Sequence, residues 1–204
     1  VIVIGDWTSG AQDRPRGTPK RIDASRNHDL VLAAVERLLR TAPVESVTMD
    51  AVAQDAGVGK GTVFRRFGSR EGLLGDVLAR RTRSWLAELT ERTLPEPDPR
   101  RRLELFGPAH MRFVVDHADL TVAAGAEGWS VADDAVRDHV SGLLAELGQP
   151  EEDREFWVGV LLVASSTGLL RFLATRGADL DDAERGWHDL IARLWSGCTP
   201  PPRT

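Results

Sequence analysis

A chain of 204 residues, 42% hydrophobic and 28% charged, has enough apolar material to bury a real core, which excludes a disordered or fibrous protein. Its single cysteine, Cys198, excludes an internal disulfide and a thiol-rich metal site. The net charge of −5 is uneven, with 14 Lys and Arg against 10 Asp and Glu over residues 1–83 but 12 against 21 over residues 84–204. A basic front suits a polyanionic partner, and an acidic body suits some other task. The opening VIVIG is far shorter than a signal-peptide core and has no basic segment before it. No later stretch is long and uncharged enough to span a bilayer, so the expected location is the cytoplasm and no membrane partner is expected.

Residues 1–25, rich in Gly, Pro, Ser, Thr and charge, are expected to form a flexible basic arm carrying Arg14, Arg16, Lys20 and Arg21. From Val31 the apolar positions Val31, Leu32, Ala34, Val35, Leu38 and Leu39 share one helical face, and Pro43 marks the exit. Thr48 is placed to cap a short second helix in which Met49, Val52, Ala53 and Ala56 recur at helical spacing and Gly57 supplies a left-handed end. After the Gly57-Val58-Gly59 turn, Val63 and Phe67 lie four apart and face inward on a short basic helix. Gly68 stops that helix, and Ser69 caps the next, which carries Leu73, Leu74, Val77 and Leu78 toward Trp85 and Leu86.

The three prolines of TLPEPDPR, Thr93 to Arg100, read as a break. Beyond it the pattern is helical throughout. A helix from Leu103 to about Ala118 is expected to bend or stop at Gly107-Pro108, because a mid-helix proline removes a hydrogen bond. Ser130 and Asp133 resemble a capping box for a helix closed by Gly148. Pro150 and three following acids open a long helix to about Thr175, and a last helix, about Asp181 to Ser196, lines up Trp187, Leu190, Ile191, Leu194 and Trp195.

The stretch GVGKGT, Gly57 to Thr62, invites comparison with a nucleotide-phosphate loop. That loop needs a buried strand upstream and a first glycine where Gln54 stands, and TMDAVAQDA has helical spacing instead. The same residues meet the demands of a helix-turn-helix: a small residue, Ala53, in the first helix, a glycine in the turn, and the apolar anchors Val58 and Val63. Its second helix would enter the DNA major groove while Lys60, Arg65, Arg66 and Arg70 supply positive charge.

From about His28 to Leu74, and most specifically in T-M-D-x-V-A-x-x-A-G-V-x-K-G-T-V-F-x-x-F-x-S-R-E-x-L-L from Thr48 to Leu74, the chain resembles the tetracycline-repressor (TetR) family of bacterial regulators. The resemblance implies an all-α protein with a three-helix, homeodomain-like helix-turn-helix domain at residues 26–74. A helical effector-binding and dimerisation domain would occupy residues 75–204. By motif position Lys60 and Gly61 would meet base edges, and Thr48, Thr62, Arg66 and Arg70 would hold phosphates. Arg65 would add charge, and Lys20 and Arg21 of the arm further contacts. Phe64 stands where the family usually has tyrosine, so a phosphate hydroxyl is replaced by a ring able to touch a thymine methyl.

The apolar helix from Phe156 to Leu173 must be covered on both sides. The resemblance implies a homodimer built on the last two helices, which suggests Trp157, Ala164, Ser165, Gly168, Trp187, Ile191, Leu194 and Trp195 as interface residues. It also implies palindromic double-stranded DNA as partner and a small-molecule effector in the C-terminal core. Trp85, Phe106, His110, Phe113, Val114, His117, Trp129, Leu161 and Phe172 are the candidate pocket wall, and their character predicts an apolar or aromatic effector. No histidine or carboxylate spacing suggests a metal, no cofactor is expected, and no catalytic constellation stands out. The resulting expectation is a ligand-released repressor, with an effector-free DNA-binding regulator and a nucleotide-phosphate-loop enzyme as alternatives.

Overall fold

A computed structural model describes the backbone of residues 19–196 and the side chains of residues 26–125 and 134–195. Nine α-helices and one 3-10 turn make up this part, and it contains no strand. The head is α1 (Pro19–Thr41), the 3-10 turn Val44–Ser46, α2 (Met49–Ala56), α3 (Lys60–Phe67) and the start of α4 (Arg70–Thr93). The body holds α5 (Pro99–Asp116), α6 (Ala118–Glu146), α7 (Glu151–Ala164), α8 (Thr167–Ala174) and α9 (Leu180–Ser196).

Local rules fix the head. Thr48 Oγ1 accepts from the Ala51 N–H at 3.2 Å, and Ser69 Oγ accepts from the Gly72 N–H at 3.0 Å, each satisfying an orphan donor of its helix. Gly57 ends α2 with φ 66°, and the Val58 N–H closes back on the Ala53 carbonyl at 3.0 Å. Val31, Ala34, Val35, Val52, Val63, Leu73, Leu74 and Val77 are buried together in the head core. A bidentate Arg81–Glu36 pair (3.0 and 2.5 Å) ties α4 to α1.

A second core fills the body with Leu103, Phe106, Met111, Val140, Leu144, Leu161, Trp187 and Ile191. Two helices serve both cores. The first half of α4 ends its head contacts at Ala79, and its second half brings Trp85, Leu86 and Leu89 to the body. The opening of α6 puts Leu120 and Ala124 into the head core, whereas Val136, Val140, Leu143 and Leu144 belong to the body. Between the halves of α6, Gly125 breaks the helical path with φ 62° and ψ −165°, a conformation open essentially to glycine alone.

The structure corrects four expectations about elements. First, α1 begins at Pro19, so the end of the expected arm is helical; residues 1–18 lie outside the described residues. Second, α5 continues through Pro108. Gly107 lies so close to Trp187 that a Cβ there would stand 2.1 Å from the indole, and Trp187 Nε1 donates to the Leu103 carbonyl at 3.1 Å. These tertiary contacts hold the helix across its missing hydrogen bond. Third, the break in α6 falls at Gly125 rather than before Ser130, because positive φ breaks the path where a capping side chain was expected to start a helix. Fourth, the helix expected to run to Thr175 divides into α7 and α8, inclined by 42°. Ser166 caps α8 by accepting from the Leu169 N–H at 3.3 Å.

A candidate DNA-reading helix and an internal cavity

The front face of the head is α3 and the N-terminus of α2. Val63 and Phe67 are buried, which fixes the rotation of α3 and turns Lys60, Gly61, Phe64, Arg65 and Arg66 outward. Lys60 is paired with both oxygens of Asp50 on α2, at 2.6 and 2.9 Å, and lies 5.8 Å from the centre of the Phe64 ring. The pair is more than half exposed, so water screens it and it is weak enough to open. Around Gly61 nothing lies within 4 Å of the place a Cβ would occupy, so in the free protein the glycine answers to no packing demand. Arg65 donates to Thr62 Oγ1 at 3.4 Å, and Arg66 donates to His28 Nδ1 at 3.3 Å. His28 can accept because burial, with Arg66 beside it, holds its pKa below the usual histidine value. Thr48 is exposed and caps α2 with its oxygen, which leaves its hydroxyl proton to donate outward.

Arg70 does something else. Its Nε donates to the Val47 carbonyl at 2.7 Å and its Nη2 to the Val44 carbonyl at 2.6 Å, pinning the 3-10 turn between α1 and α2. In the free protein this half-buried guanidinium, expected at a phosphate, is engaged by backbone acceptors and builds the head. Lys20 and Arg21 sit on the first turn of α1, and their side chains lie outside the described residues.

Inside the body a cavity of about 390 Å³ is bounded by Leu78 and Thr82 of α4, His110, Phe113 and Val114 of α5, Thr121, Val136 and Arg137 of α6, and residues of α7 and α8. Of the expected wall residues, His110, Phe113 and Val114 line it. Phe106 and Leu161 are fully buried core side chains instead. Trp85 and His117 line a separate polar cleft on the far side of Phe113, beside Glu36, Arg81 and Arg112. Phe172 is 54% exposed, and the Trp129 side chain lies outside the described residues. Sequence reasoning missed Thr82, Thr121, Val136, Arg137 and Gly159, since scattered residues on three helices carry no signal of converging on one space.

The interface candidates divide in the same way. Trp187 and Ile191 are buried in the body's own core, and Ser165 is sealed against His110 and the Leu161 carbonyl, so these three face inward. Trp157, Ala164, Leu194 and Trp195 are half-buried against that core, and Gly168 is exposed. The large apolar groups open on this side are Phe156 and Val163 of α7 and Phe172 of α8, at 66%, 64% and 54% exposure.

A helix, not a strand, precedes Gly57, and Gly59 is the cap of α3, which removes the scaffold that a phosphate loop requires. The sequence profile of "Bacterial regulatory proteins, tetR family" matches residues 31–77, the segment that builds this head. The matched segment is a tetR-family DNA-binding domain. A domain of this kind makes the chain a DNA-binding transcriptional regulator.

Solved structures share the fold of the whole regulator. FadR of Thermus thermophilus, a TetR-family transcriptional repressor solved with lauroyl-CoA, is 18% identical with a TM-score of 0.63, over 87% of this chain and 100% of that one. A TetR-family transcriptional regulator from Streptomyces coelicolor is 23% identical with a TM-score of 0.56, over 84% and 99%. NalD of Pseudomonas aeruginosa, the secondary repressor of the MexAB-OprM multidrug efflux pump, is 17% identical with a TM-score of 0.51, over 84% and 96%. A sequence search of curated proteins finds no match. Among the described residues of the regulator no single helix is long and apolar enough to cross a membrane.

Proposed function

We propose that the regulator is a homodimeric repressor that leaves a palindromic operator when a small apolar or aromatic molecule enters the body cavity. One observation carries this reading: the cavity is lined by Leu78 and Thr82 of α4 and Thr121 of α6, the two helices that also build the head core. A ligand that fits better when these helices shift therefore has differential affinity for two head positions, which is what release from DNA requires. Structural relatives such as FadR, solved with an acyl-CoA, support an apolar ligand in a body of this fold. Phe156, Val163 and Phe172 offer the apolar face for the second copy, with Trp157, Ala164 and Gly168 beside them. Twofold symmetry would then set the reading helices on half-sites about 34–36 Å apart.

In this reading Lys60 and Gly61 meet base edges, while Thr48, Thr62, Arg65 and Arg66 hold phosphates. The location that fits these partners is the cytoplasm. The test is fluorescence anisotropy on palindromic fragments from around the regulator's own coding region. Lys60→Ala is expected to weaken specific binding by about 1–3 kcal/mol and leave random DNA nearly unchanged. Equal loss on both DNAs makes Lys60 a phosphate contact. Failure to bind any fragment at low salt, together with turnover of a nucleotide, overturns the reading.

A further inference from the structure

The polar chemistry of the cavity wall is sparse and specific. His110 stacks on Phe106, with ring centres 5.3 Å apart and planes 15° apart, and lies 5.7 Å from Trp85, so the ring is held in an aromatic cluster. Its Nδ1 is 2.9 Å from Ser165 Oγ, and Ser165 Oγ is 3.0 Å from the Leu161 carbonyl. A hydroxyl has one proton. A carbonyl only accepts, so the arrangement that makes both contacts hydrogen bonds sends the Ser165 proton to Leu161 and places the hydrogen between Ser165 and His110 on Nδ1. In that arrangement His110 is the Nδ1–H tautomer, and its Nε2 presents a lone pair. No described group hydrogen-bonds Nε2, and it is not among the polar atoms sealed inside the protein without a partner. His110 lines the cavity, and Nε2 is the ring nitrogen left for a molecule held there.

The charge in the wall points the same way. Arg137 is the one fully charged residue among the described lining residues, and Glu155 of α7 pairs with it. A carboxylate ligand would have to displace Glu155 and would find a lone pair rather than a donor at His110. Burial holds the His110 pKa down at about 4, so the ring does not become a cation in the neutral range. The rest of the wall is mainly apolar, with Leu78, Phe113, Val114, Val136, Leu162 and Val163.

We propose that the cavity selects an uncharged apolar or aromatic molecule bearing a hydroxyl group, which donates its hydrogen bond to His110 Nε2. The assignment rests on the effector reading above and narrows it to a class of ligand. It makes His110 a specificity-determining contact, and Ser165 the positioning residue that fixes which ring nitrogen accepts. A site built to accept a hydroxyl proton rejects the analogue lacking it, because the lone pair is then left dry.

The test uses the full chain and three probes of like shape: para-hexylphenol, its methyl ether para-hexylanisole, and para-hexylbenzoate. Titration calorimetry is expected to show the phenol binding about tenfold more tightly than the ether, with the benzoate weakest. His110→Phe, which keeps the ring stack, is expected to bind the ether within about twofold of the unsubstituted chain and to lose the preference for phenol. Should that variant fail to fold, Ser165→Ala is expected to reduce the preference several-fold, because the tautomer is no longer fixed. Equal binding of phenol and ether, a preference that survives His110→Phe, or tightest binding of the benzoate overturns the hydroxyl assignment while leaving the cavity as an effector site. If none of the three binds, the effector reading falls with it.

Discussion

Two helix glycines, Gly61 in the first turn of α3 and Gly107 in the middle of α5, show how differently the head and the body use the same residue. Gly107 is a glycine because Trp187 occupies the space of its Cβ. Gly61 has open space around it, so nothing inside the protein demands a glycine there, and in the proposed reading the demand comes from DNA. The body is thus organised by what it encloses and the head by what it will meet, and substitutions should divide along that line.

The largest effect belongs to the body. Gly107→Ala forces the Trp187 indole from its place and from its bond to Leu103, and is expected to cost about 3 kcal/mol or more in a urea melt. A loss below about 1 kcal/mol would mean that α9 shifts freely and that the close contact does not constrain the core.

Arg70→Met tests a residue of the head that behaves like one of the body. Removing two charge-assisted bonds from the Val44 and Val47 carbonyls is expected to destabilise the chain by about 2–3 kcal/mol. Its partner substitution, Arg66→Ala, should leave the melt within about 0.5 kcal/mol. It should reduce the salt dependence of DNA binding by about two phosphates per dimer. If Arg70→Met instead changes the salt slope and spares stability, the phosphate role belongs to Arg70 after all.

Acid separates the regions by a smaller amount. The His110 pKa is held down at about 4 against an ordinary 6.5, so the unfolded chain takes up the proton first as the pH falls. Its contribution is fully present above about pH 6.5 and is lost progressively down to about pH 4. His139 in the body and His28 in the head are lowered as well and act with the same sign. Urea melts at pH 7 and pH 4.5 should show the His110→Phe chain losing less stability than the original. An equal loss would show that the ring gains its proton without disturbing the fold.

Gly61→Ala should produce the smallest change in stability, a gain of about 0.5–1 kcal/mol from helix propensity, together with weaker operator binding. Stability and DNA affinity rising together would remove Gly61 from the contact surface.

The contrast also explains what could be read from the chain. The head is made of local devices that repeat in sequence: Thr48 and Ser69 as caps, Gly57 as a left-handed end, and Val63 and Phe67 four apart. Each is dictated by residues within a turn or two, so α2 and α3 were legible to the residue. The body depends on meetings between distant residues. Nothing near Pro108 announces that Trp187, far along the chain, will support the helix across it. The apolar stripe on α9 was legible, but whether its tryptophan faced a partner or its own core depended on the Gly107 notch. The cavity was partly legible through His110, Phe113 and Val114. Its acceptor nitrogen became visible only with Ser165 beside it.

The sharing of α4 and α6 between two cores bears on how such regulators can be recombined. A chimera that joins this head to another body at residue 74 would leave Val77, Leu78 and Ala79 of α4, and Leu120 and Ala124 of α6, to be supplied by a stranger. These five side chains are part of the head's interior, so the transplanted unit is discontinuous in sequence. It comprises the chain through Ala79 and, carried along as a separate insert, the stretch from Ala118 to Gly125. A graft that moves both pieces keeps the head's packing intact and lets Gly125 serve as the natural seam.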